Sequence, residues 1–175
     1  MSTGTRIVYE TAEHSMTLAT IGSLFVTIHR RDYSAEEVVP LRHHQLAFAR
    51  EQGAPFPLLT ILDVTEMHII RFGKPARDAT LELARETMPY IRCSGVVFDR
   101  GGFAASAIRS LVTMVNLVSK QPFPTHVFGD LGRAIEWIET KLDGEGPSDF
   151  DRVATTDSVR MLREVNAGGR ASTPA

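Results

Sequence analysis

The spacing of apolar residues changes along the chain, and the changes divide it into elements. Met16 to Ile21 and Leu24 to His29 are β-rich runs, with Phe25, Thr27 and His29 alternating against Val26 and Ile28. Gly22-Ser23 between them has the two-residue spacing of a hairpin. Arg6 to Tyr9 supplies a further edge strand. Ser34-Ala-Glu-Glu37 has the form of a capping box, in which Ser34 and Glu37 satisfy each other's amides. It predicts a helix reaching Gln52 and stopping at Gly53, with Val38, Leu41, Leu46 and Phe48 or Ala49 inward. Pro40 lies beyond the first turn, removes a hydrogen bond and predicts a kink.

Leu58 to Val64 is continuously apolar except for Thr60 and Asp63, the pattern of a strand covered on both faces. Pro75 suits the first turn of a helix that ends near Pro89 with Ala79, Leu83 and Ala84 inward. Gly95 to Phe98 is a short buried strand. Ala104, Ile108, Leu111, Val115 and Val118 then recur at three- and four-residue steps, a helix ended by Pro122 and Pro124. His126 to Phe128 is a last strand, and Asp130 caps a helix with Leu131, Ala134, Ile135, Ile138 and Leu142 on one face. Two strands and a helix, then three strand–helix units, predict an α/β fold. Its sheet is mixed and largely parallel, with about five strands flanked by about four helices. This domain spans residues 1–142. In 143–175, Gly, Pro, Ser and Asp form a linker, Asp157 to Asn166 a short amphipathic helix with Val159, Leu162 and Val165, and 167–175 a flexible end. No internal repeat is visible.

Composition narrows the function classes. A chain of 175 residues holds one domain with a real core. Net charge −2 gives no electrostatic reason to expect nucleic acid or an anionic membrane as partner. The single Cys93 excludes an internal disulfide. The first fifteen residues lack the apolar run of a signal peptide, and Arg109 and Asn116 interrupt the most apolar helical stretch. A cytoplasmic location is expected.

The order of elements, with two local segments, resembles the STAS superfamily, the SpoIIAA-like group of anti-sigma-factor antagonist domains. Leu59-Thr-Ile-Leu-Asp-Val-Thr65 resembles the family's central strand, with its hydrophobic–Asp–hydrophobic–Ser/Thr ending. Val127-Phe-Gly-Asp-Leu-Gly-Arg-Ala-Ile-Glu-Trp-Ile138 resembles its closing strand and helix. The resemblance covers roughly Met16 to Leu142. It implies a non-catalytic protein-binding module, in bacterial regulation, with no cofactor. The family's phosphorylated Ser/Thr turn would fall near Arg71-Phe-Gly-Lys74, which carries no hydroxyl; the nearest are Thr65 and Thr80. The usual serine-phosphorylation switch is therefore not expected, and what carries over is the contact surface.

That surface is expected at Met67, Ile69, Ile70, Arg71 and Phe72, more apolar side chains than a connecting loop requires. Arg77, Glu82 and Arg85 on the following helix would form its polar rim. The structural alternative is that these residues fold back over the core. A second site lies at Asp99-Arg100-Gly101-Gly102 with Arg109, where free amides at a helix start can hold an anion. The spacing there matches neither dinucleotide nor P-loop patterns, and paired glycines also make a plain tight turn. Together these two loops give a second functional reading, a small-molecule or enzymatic α/β protein binding a nucleotide, phosphate or acyl ligand. Asp63, Glu66, His68 and Asp99 would then converge above the carboxyl edge of the sheet. A third reading is homodimerisation through an edge strand of the hairpin or the C-terminal helix. Six histidines show no metal-ligand spacing, so no metal is expected, and no nucleophile–base pair is visible. Cys93 and Trp137 are expected as packing residues.

Overall fold

The computed structural model describes residues 4–30, 35–63, 74–98, 122–142 and 150–167. Six strands, β1 (Thr5–Glu10), β2 (Met16–Ile21), β3 (Leu24–His29), β4 (Phe56–Leu62), β5 (Ile91–Val97) and β6 (Thr125–Phe128), form one sheet in that order. The first two pairings are antiparallel and the last three parallel, so the fold is α/β with a mixed sheet. The sequence predicts about five strands; the sixth is the edge strand β1, paired to β2 with a bulge between Ile7 and Tyr9.

The described residues hold four helices: α1 (Ala35–Gln52), α2 (Lys74–Thr87), α3 (Leu131–Leu142) and α4 (Arg152–Ala167). The helix predicted over Ala104–Val118 lies outside the described residues, as does Ser34 of the predicted capping box. Within the described residues, the Glu37 carboxylate accepts a hydrogen bond from the Ser15 hydroxyl at 2.7 Å.

Local chemistry sets the element ends. The β2–β3 hairpin turns on Gly22, whose φ of 55° is the left-handed value required at the first turn position. Gly53, at φ 64°, ends α1 and donates its amide to the Ala49 carbonyl. Asp130 caps α3 by accepting from the Arg133 amide at 2.9 Å, and Asp151 caps α4 by accepting from the amides of Val153 and Ala154.

Helices cover both faces of the sheet, and the two-residue period of the strands assigns each side chain to a layer. Met16, Leu18, Phe25, Phe56 and Ile91 pack with Val38, Leu41, Phe48 and Ala49 of α1 and Leu83 of α2. The rings of Phe25, Phe48 and Phe56 meet pairwise at 5.1–6.0 Å in that layer. Ile21, Val26, Ile28, Leu59, Ile61 and Val97 pack on the other face against α3, and against Val159 and Leu162 of α4. β2 and β3 are buried along their whole length because both layers cover them.

Three local expectations are corrected. In α1, Gln45 is buried and Leu46 only partly so, because the inner stripe passes through 38, 41, 45, 48 and 49. Cys93 sits inside β5 rather than before it, since the strand begins at Ile91. The C-terminal helix starts at Arg152, five residues ahead of the sequence reading, on the Asp151 cap.

Candidate functional site

The parallel strands β3 and β4 end side by side, and the first residue past each continues the alternation toward the α3/α4 layer. Arg30 follows the parity of Val26 and Ile28; Asp63 follows that of Leu59 and Ile61. The ends are tied by the Asp63 amide, which donates to the His29 carbonyl at 2.7 Å. Arg30 Nη1 donates to Thr17 Oγ1 at 2.8 Å and to the His14 carbonyl at 3.2 Å, and Nη2 donates to the Leu162 carbonyl at 3.2 Å. Thr17 donates onward to Glu10, which also faces His14 Nδ1 at 3.2 Å. Asp63 accepts two bonds from Arg163 of α4, Nη2 to Oδ1 at 3.1 Å and Nε to Oδ2 at 3.4 Å. A charged cluster drawn from four strands and the last helix therefore sits at the carboxyl end of the sheet, the side on which open α/β folds bind ligands.

Burial and neighbouring charge tune this cluster. Arg30 is driven below its ordinary value by burial and by the Arg163 cation, while Asp63 and Glu10 oppose the shift. His29 points to the opposite, α1/α2 side, by the parity of Phe25 and Thr27. Burial, with Arg30 adding, lowers its pKa to about 4, so the imidazole is neutral near pH 7. On the same side, Thr27 donates to Thr60 Oγ1 at 3.1 Å.

Of the site residues read from the sequence, Met67, Ile69, Ile70, Arg71 and Phe72 lie outside the described residues. So do Glu66, His68, Asp99, Arg100, Gly101, Gly102 and Arg109. Arg77 belongs to α2, but its side chain is outside the described set. The other two rim residues, Glu82 and Arg85, are exposed, as are Asp78 and Glu86 on the same helix, and Arg42 of α1 reaches Glu86 and Glu82 at 3.3 and 3.6 Å. Asp63, the last described residue before the apolar segment, is thus fixed in place. Arg30 and Arg163 were missed as site residues. Arg163 stands 100 positions from Asp63, and its only local signal is the stripe Thr155, Val159, Leu162 that turns α4 onto the sheet.

An open groove of about 380 Å³ lies between α3 and α4, lined by Asp130, Arg133, Glu136, Arg152, Asp157 and Arg160 among others. Its acids and bases are matched, with Arg152 on Glu136 and Glu139 and Arg160 on Asp157.

Against protein-family models, curated proteins and solved structures, the chain finds no match. Among the described residues no group of three or more His, Cys, Asp or Glu side chains is placed to hold a metal, and no helix is long and apolar enough to cross a membrane. Cys93 is buried, and burial pushes its thiol up to about 11 despite nearby Arg92 and Lys141. Trp137 is partly buried against the core, with Phe128 at 5.5 Å and the Lys141 ammonium 5.6 Å from its ring.

Proposed function

We propose that the protein is a non-catalytic, STAS-like binding module of bacterial regulation that holds a protein partner through Met67–Phe72 and the outer face of α2. The observation that carries this reading is the fixing of Asp63 by Arg163. In sequence the apolar segment lies between Asp63, held at the end of β4, and the start of α2 at Lys74, the kind of position between scaffold elements at which loops carry recognition. The exposed charges Asp78, Glu82, Arg85 and Glu86 supply a polar rim beside that segment. Further support comes from His29 and Cys93, whose large shifts arise in the packed interior rather than in a cleft.

The test is capture of partners from the native cell by the wild-type chain and by Ile70→Glu and Phe72→Glu, with a circular dichroism melt of each. Loss of the captured set with an unchanged melt is expected. Unfolding of both variants places those residues in the core and removes the surface.

One observation favours the second reading, a small ligand at the sheet's carboxyl end: Arg30 Nε is buried there with no hydrogen-bond partner among the described residues. A thermal-shift screen of nucleotides, phosphates and acyl compounds decides it. A ligand at a hundred times its dissociation constant adds about 2.7 kcal/mol of stability.

A further inference from the structure

The last helix is held differently from the others. Among the described side chains, α3 buries five apolar residues in the core, whereas α4 contributes Val159 and Leu162. Its other buried side chains are the hydroxyls Thr155, Thr156 and Ser158. Among the described residues the Thr155 hydroxyl meets no hydrogen-bond partner, and neither does Arg30 Nε, whose guanidinium meets α4 at the Leu162 carbonyl. Polar groups buried without partners are rare in permanently packed interfaces, and each favours a state in which water reaches it. The remaining ties are charged and partly wetted. Arg163 and Asp63 are 22% and 26% exposed, and Arg152 reaches Glu136 and Glu139 at the surface. Segments with few buried apolar contacts and ties of this kind open at lower free energy than a core.

We propose that α4 is a detachable strap over the carboxyl end of β3 and β4. It opens as a unit while the sheet stays folded, and it switches Arg30 and Asp63 between a latched state and one accessible from outside. The two unmatched polar atoms mark the surface along which it parts. The strap acts on the same Asp63–Arg163 tie that roots the partner-binding segment, holding that root when latched and releasing it when open, and the exchange of α4 reads the strap without any partner.

Hydrogen exchange of the full-length chain, followed by mass spectrometry at neutral pH, tests this. The amides of 152–163 are expected to exchange as one group, at least about tenfold faster than those of β3 and β4. Arg163→Gln removes the latch and should speed that group by about five- to tenfold while β3 and β4 keep their rates. Thr155→Val, a change of nearly equal volume, removes the unmatched hydroxyl and should slow it. Exchange of α4 in step with β3 and β4 in the wild type overturns the strap, as does equal acceleration of helix and sheet by Arg163→Gln. Unchanged or faster exchange of α4 in Thr155→Val also contradicts it.

Discussion

The Arg163 guanidinium grips the Asp63 carboxylate with two nitrogens, joining the final helix to the end of β4 across 100 positions of chain. The pair is about three-quarters shielded, and Arg30 stands beside it, so the two changes that break it are not equivalent. Asp63→Ala leaves two cations facing each other and is expected to cost about 2 kcal/mol; Arg163→Ala should cost about 1 kcal/mol. A double-mutant cycle by urea denaturation should give a coupling near 1 kcal/mol. Additive losses would mean that the two side chains meet without stabilising the fold.

Acid should weaken the protein through His29. Its folded pKa, about 4, lies below the ordinary value of 6.5, so between those values the unfolded chain binds the additional proton. Stability is then full above pH 6.5 and falls as pH drops toward 4, by on the order of 2 kcal/mol between pH 7 and pH 5. His29→Gln should flatten that part of a stability–pH curve measured by urea midpoints. A wild-type curve already flat from 7 to 5 would show that the imidazole is not held neutral.

Cys93 is expected to be silent toward thiol reagents in the folded protein. With its side chain buried and its thiol pushed up to about 11, little thiolate exists at pH 8. A disulfide-exchange reagent should label it only as fast as the chain opens, and complete labelling within seconds in native buffer would refute its burial.

Gly95 sets the distance between β5 and α3. A Cβ there would lie 3.3 Å from Ile138 Cδ1 and 3.6 Å from Leu59 Cδ1, the ends of flexible side chains. Gly95→Ala should therefore cost about 1 kcal/mol and Gly95→Val about 2–3 kcal/mol in denaturant titrations. Ile138→Ala opens a cavity in the same layer and should cost about 2–5 kcal/mol. Wild-type stability in Gly95→Val would show that helix and strand are not closely packed.

What the sequence revealed, and what it concealed, follows from the range of each interaction. The five inward residues of α3, Leu131, Ala134, Ile135, Ile138 and Leu142, were all legible, because a single helical period and the Asp130 cap define them locally. The hairpin was equally legible from two β-rich runs about Gly22-Ser23. β5 was seen only from Gly95 onward, because the alternation of Ile91-Arg-Cys-Ser94 runs for only four residues directly after Met88-Pro-Tyr90, and its pairing with β4 is what makes it strand. Gln45 replaced Leu46 because neighbours on a helix differ by about 100°, and the position of the stripe is set by the sheet beneath. In the candidate site, Asp63 stood out as a lone carboxylate in an apolar run. Arg30 and Arg163 did not, because what distinguishes them is tertiary: two strand ends paired in the sheet and met there by α4.

The central claim, partner recognition through the segment between Asp63 and α2, is tested most directly by hydrogen exchange of the protein alone and bound to the partner it captures. The account predicts new protection in peptides covering Met67–Arg85, with the α3 face at 131–142 unchanged. Protection confined to the α3 and α4 face, with none in Met67–Arg85, would contradict it.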